Sequence, residues 1–203
     1  MVDAQRDVPD EEAWNAWRPA ELAERLSSLN LPWCVVGGWA LDLWHGVLTR
    51  SHADLEFTIL REDFREFRQV LCDLDFYSAH DGVLAGIPPD LDPPDNVMQF
   101  WGFDRIAECW RCDMMIEPGT VESWAYKRNT SVQRPRAEMV MQSANGIPYL
   151  NPSAVLLFKA RDRRPKDKYD FEKALRNLPL SERTWLRDCL KALHPGNEWT
   201  CVL

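Results

Sequence analysis

The sequence predicts an α+β protein: a lobe of mixed strands with helices on one face, residues 1–150, followed by a small helical lobe, residues 151–203. Three observations predict it. Short β-branched or alternating segments recur through the first part of the chain, helical periodicities lie between them, and after Asn151-Pro152 only helical patterns remain. A chain of 203 residues with 45% apolar and 11% aromatic content, ten of its residues Trp, can bury a substantial core in two lobes.

The elements follow in order. "DEEAWNAWRPAELAERLSSLN" places Trp14, Trp17, Leu22, Leu26 and Leu29 at helical spacings, and Pro19 divides the segment into two short helices. "LPWCVVGG" reads as a buried strand ending in glycines, and "WALDLWHGV" as a short helix starting just after them. In "ADLEFTIL", Leu55, Phe57 and Ile59 alternate with Asp54, Glu56 and Thr58, so a strand shows the two carboxylates on one face. "REDFREFRQVLCDLDF" is an amphipathic helix by period. Four prolines and two glycines make 81–95 a loop or broken hairpin. "NVMQFWGF" and "ECWRCDMMIEP" are strands, the second carrying Asp113, and Asn145-Gly146 marks a hairpin turn in "MVMQSANGIPYL". Three helices complete the chain, the first opening on Pro152 and the last capped by Ser181.

The formal charge of −8 opposes nonspecific binding to DNA or RNA and suits a cationic ligand. Six cysteines (Cys34, Cys72, Cys109, Cys112, Cys189, Cys201) accompany a polar, acidic leader with no apolar stretch for export, so reduced thiols and a cytoplasmic location are expected. No apolar run of about 18 residues suggests a membrane span.

Chemistry concentrates in Val35–Leu60. Gly37-Gly38 before a helix expose backbone N–H groups where the helix dipole favours an anion, although a tight strand-to-helix turn needs the same glycines. Neither the dinucleotide fingerprint nor the P-loop pattern occurs. Asp54 and Glu56 offer hard oxygen ligands suited to Mg²⁺, with Asp113 the leading third acid, then Asp92 and Asp95; a merely polar strand face is the alternative.

Together these pieces resemble a known signature. "GGWALDLWHGVLTRSHADLEF" is similar to the motif of nucleotidyltransferases related to DNA polymerase β, and within them to the small antibiotic enzymes, the aminoglycoside 2″-adenylyltransferases and lincosamide nucleotidyltransferases. Gly37, Gly38, Trp39, Ala40, Leu41 and Asp42 match the first half, and Thr49, Arg50, His52, Asp54 and Leu55 the second. Glu56 departs from the commoner Asp. A further likeness lies in "GIPYLNPSAVLLFKARDRRPKDKYDF".

The resemblance implies a polymerase β-like catalytic lobe and Mg²⁺-dependent transfer of a nucleoside monophosphate, usually from ATP, to a hydroxyl of a small cationic acceptor such as an aminoglycoside. Asp54 and Glu56 would bind the metal; Asp113 would join it or take the proton from the attacking hydroxyl. Gly37, Gly38, Arg50, Lys159 and Lys166 would contact the nucleotide. Arg50 could equally brace its loop against an acid, Lys159 could snorkel to solvent, Lys166 could lie in a solvated loop, and His52 could cap the strand.

Asp81, Asp90, Asp92, Asp95 and Glu117 could draw a polycationic acceptor, and Trp101, Trp110 and Trp124 could border its pocket. Cys109 and Cys112 lack the further ligands that zinc requires. A lincosamide acceptor, a noncatalytic member of a toxin and antitoxin pair, and nucleotide addition to RNA are the competing readings, the last opposed by the acidic balance.

Overall fold

The computed structural model describes residues 8–203; the first seven residues of the leader lie outside them. In chain order the elements are α1 (Pro19–Arg25), β1 (Trp33–Val35), α2 (Gly37–His45), β2 (Glu56–Leu60), α3 (Phe64–Val70), β3 (Asp75–His80), β4 (Val83–Gly86), β5 (Gln99–Asp104), β6 (Cys109–Glu117), β7 (Ser123–Ala125), β8 (Gln133–Pro135), α4 (Arg136–Met139), β9 (Val140–Gln142), β10 (Pro148–Leu150), α5 (Pro152–Lys159), α6 (Pro165–Leu175) and α7 (Leu180–Leu193).

The chain is α+β, as expected, and groups into two compact units whose border is not at Asn151. Unit 1 holds the described residues to Val35 and Ser51–Pro118; unit 2 holds Val36–Arg50 and Gly119–Leu203. The last three helices therefore share a unit with α2, because α5 packs against α2, α6 and α7.

In unit 1 the strands run in the order β4-β3-β5-β6-β2-β1. The β2–β6 pair is parallel and the other pairs are antiparallel, which makes the sheet mixed. Alternation along β2 sets its two faces: Leu55, Phe57 and Ile59 are at most 1% exposed, while Glu56 and Thr58 stay half-buried. Helix α3 covers the apolar face, its Phe67 ring 6.4 Å from Phe57 and its Phe64 ring 4.6 Å from Phe100.

One expectation fails here. The helix around Trp14 does not form; Trp14 bridges Trp110 in extended backbone, with the Trp110 N–H donating to the Ala13 carbonyl at 2.8 Å. Strand pairing satisfies the backbone there, where local periodicity pointed to a helix. Of the two alternatives for 81–95 the broken hairpin forms, since Asp81 and Gly82 take positive φ and turn β3 into β4.

Unit 2 is built around α5. This helix is apolar nearly all round and buried from Pro152 to Leu157, as a central helix must be. Asn151 accepts from the Ser153 N–H at 3.0 Å and Pro152 sits in the first turn, which fixes where it begins. Strands β7 and β8 form one antiparallel pair, and β9 and β10 another whose connection includes Gly146 at φ 74°. Helix α7 begins at Leu180 after Pro179, so Ser181 lies inside it and is not its cap. The ring of Trp199 stacks on Phe171 at 4.1 Å and ties the C-terminal turn to α6.

Candidate active site

The acids of unit 1 are brought together by strand register. Glu56 on β2 and Asp113 on β6 are direct partners across the parallel pair, so their side chains leave the same face. Asp54 precedes the first ladder pair by two residues, and the alternation of burial continues through it: Asp54 half-buried, Leu55 buried, Glu56 half-buried. The Asp113 N–H donates to the Leu55 carbonyl at 2.8 Å, which pins the entry to β2 beside Asp113. Asp113 is only 4% exposed, and its Oδ2 accepts a 2.6 Å hydrogen bond from the Gln99 side-chain amide on β5. Farther along the same face Thr58 donates to Glu117, a second buried acid, at 3.3 Å.

In unit 2 the glycine turn is real. Gly37 has φ 64°, the left-handed region that only glycine enters without strain, and it begins α2. Behind it, the motif residues are structural braces. Asp42, on α2, accepts from both the Thr49 N–H, at 3.0 Å, and the Thr49 hydroxyl. The Tyr169 hydroxyl of α6 donates to the Thr49 carbonyl at 3.1 Å. Arg50 grips Asp170 with two parallel hydrogen bonds, Nε to Oδ1 and Nη2 to Oδ2, both 2.9 Å.

Lys159 is buried, 8% exposed, and does not snorkel. Its Nζ lies 3.0 Å from Asp167 and 2.9 Å from Asp170. Asp167 also accepts from the Arg164 backbone N–H at 3.1 Å and its Nε at 2.8 Å. Burial alone would raise both carboxyl groups; for Asp167 the bonds from Arg164 and Lys159, and for Asp170 those from Arg50 and Lys159, outweigh it and hold both below the usual range. Arg50 and Lys159 are thus engaged with acids, whereas Lys166 is exposed in the first turn of α6.

Residues 20–82 match the model of the Aminoglycoside-2''-adenylyltransferase family, a span just under a third of the chain that contains Gly37 to Glu56. The fold is similar to the solution structure of the antibiotic-resistance factor ANT(2'')-Ia, with a TM-score of 0.55 and 15% identity over 85% of this chain and 89% of that one. It is also similar to the crystal structure of ANT(2'')-Ia in complex with adenylyl-2''-tobramycin, with a TM-score of 0.53 and 18% identity over 86% and 94% of the two chains. The matched segment thus resembles the aminoglycoside family, and the fold is that of the two solved structures. No curated protein matches the sequence.

The resemblance carried by the sequence implies a divalent ion at the acidic face. Among the described residues no three His, Cys, Asp or Glu side chains are gathered tightly enough to form a metal cluster, so the three-acid set expected from sequence is not assembled as such. Mg²⁺ does not require one: it is usually held by one or two carboxylates together with substrate phosphates and water. Glu56 and Asp113 are of the donor type Mg²⁺ takes, and they are register partners on adjacent strands.

Other expectations are corrected. Asp92 pairs with Arg65 at 2.7 Å, and the Asp95 carbonyl accepts from Arg61 at 3.0 Å, so this loop is stitched to α3 and its neighbouring turn. Trp110 is fully buried among Trp14, Tyr77, Trp101 and Phe103, and Trp124, also buried, packs with Tyr126, Phe158 and Trp185, so these two rings belong to the core. Cys109 and Cys112 are buried free thiols whose ionisation burial opposes. His52 is half-buried ahead of β2.

Sequence reasoning missed Gln99, Asp167 and Asp170. The last two carried a signal: "KDKYDF" puts Asp167 and Asp170 three residues apart, on one face of a helix. Gln99 carried none, because only the pairing of β5 with β6 brings it to Asp113.

Proposed function

We propose that this protein transfers a nucleoside monophosphate, AMP from ATP, to a hydroxyl of a small cationic antibiotic of the aminoglycoside class. The observation that carries the reaction class is the placement of Glu56 opposite Asp113 on adjacent parallel strands, with Asp54 two residues before. In this reading Glu56 and Asp113 hold a divalent ion, and Asp54, two residues before Glu56, adds negative charge beside it. Direct register with Glu56 favours the metal role for Asp113 over that of a separate base. The ion supplies charge neutralisation on the transferring phosphate.

The chain's own groups do the rest. Backbone N–H groups at Gly37 and Gly38 bind phosphate oxygens, and the positive φ of Gly37 gives that turn its shape. Exposed Lys166 remains available to the triphosphate or the departing pyrophosphate. Arg50 and Lys159, each held by Asp170, act as braces that position the loop from α2. The matched aminoglycoside family segment and the charge of −8 support a polycationic acceptor.

The test is pyrophosphate release from ATP and Mg²⁺ against a panel of aminoglycosides and lincosamides. Release with an aminoglycoside is the expected result. Release only with a lincosamide moves the acceptor class, and no release with any acceptor refutes the transfer reaction and leaves a noncatalytic binding protein.

A further inference from the structure

We infer that Gln99 is a positioning residue for the metal-binding carboxylates, an inference that rests on the role proposed above for Glu56 and Asp113. Glu56 and Asp113 face each other as register partners across the parallel ladder. Asp113 is 4% exposed, so protein groups rather than bulk water orient its carboxyl group. The Gln99 amide, 2.6 Å from Asp113 Oδ2, donates a hydrogen bond to that oxygen and fixes the rotation of the carboxyl group.

The choice of residue is chemically specific. Gln99 is the register partner of Met115, two positions along β6 from Asp113, so its side chain must reach diagonally across the ladder. A Lys or Arg at that reach would orient Asp113 while cancelling the negative charge that a cation needs. A neutral amide orients the carboxylate and leaves the full charge of the pair for the ion. Partners of metal ligands of this kind typically matter about tenfold to a hundredfold in metal affinity or activity.

The experiment measures Mn²⁺ binding to the full-length protein by electron paramagnetic resonance, alongside steady-state kinetics, for wild type, Gln99→Met and Gln99→Asn. Met keeps the length and loses the donor; Asn keeps the amide and loses the reach. Both are expected to weaken Mn²⁺ binding about tenfold to a hundredfold and to lower kcat with little change in acceptor KM. As a check independent of any variant, the Gln99 side-chain amide signals of the ¹⁵N-labelled wild type should shift on Mg²⁺ addition with the midpoint of metal binding.

Mn²⁺ affinity unchanged in folded variants, or amide signals indifferent to Mg²⁺, would overturn the inference. An active wild type with such variants sinks the role of Gln99 alone. A wild type without transfer activity whose Mn²⁺ binding depends on Gln99 sinks the reaction and keeps the positioning role.

Discussion

At the scale of single residues, the site is a set of side chains whose chemistry is simple and whose placement is demanding. Asp54→Ala and Glu56→Ala each remove a carboxylate from a half-buried position just before or at the start of β2, so turnover should fall at least about a hundredfold while the unfolding midpoint stays near that of the wild type. Kinetics together with thermal unfolding checks both halves of that statement; near-normal turnover in either variant removes the metal assignment. Gly37→Ala acts differently. An L-residue at φ 64° meets the left-handed penalty, so the variant should lose about 1–2 kcal/mol in denaturant unfolding. Asp42 and Thr49, which the motif singles out, need no ligand to explain them, because they hydrogen-bond to each other within unit 2.

At the scale of elements, unit 2 depends on how α5 and α6 meet. Lys159 comes from one helix, Asp167 and Asp170 from the other, and Arg50 from the loop after α2 closes the set. Such a buried network contributes little net stability by itself, yet removing one member leaves its partners buried and uncompensated. Asp170→Asn should therefore destabilise the protein by about 3 kcal/mol, the lower end of the usual range because Lys159 keeps Asp167.

The same network predicts acid sensitivity. Both carboxyl groups have folded pKa values below their unfolded ones, so as pH falls the unfolded state takes up protons first. The stability they contribute is complete above about pH 5, declines as pH drops through the unfolded value near 4, and is gone below the folded values. Denaturant unfolding at neutral pH and at successive acid steps should show this loss in wild type and a smaller one in Asp170→Asn. A wild type equally stable at pH 7 and pH 3 contradicts the ionic account.

At the scale of the whole molecule, net charge governs the encounter with a partner. A charge of −8 attracts a polycation over distances that salt shortens, so KM for an aminoglycoside should rise with ionic strength while kcat stays nearly constant. Initial rates across a salt series test this; a KM indifferent to salt means that long-range attraction plays no part in acceptor capture.

What the sequence determined by itself is local. Alternation in "ADLEFTIL" set which residues of β2 are buried and put Asp54 and Glu56 on one face, and Gly37-Gly38 marked the turn into α2. Both follow from neighbouring residues alone, through the two-residue period of a strand and the freedom of glycine at positive φ. Tertiary structure decided what long-range pairing controls. The β2–β6 register set Asp113 against Glu56, β5 brought Gln99 to Asp113, and the packing of α5 on α6 turned Lys159 into a buried brace. It also drew the division between the units, and straightened the segment around Trp14 against β6. Those outcomes depend on backbone hydrogen bonds and ion pairs between residues far apart in the chain, and no short-range pattern encodes which distant partner will satisfy them.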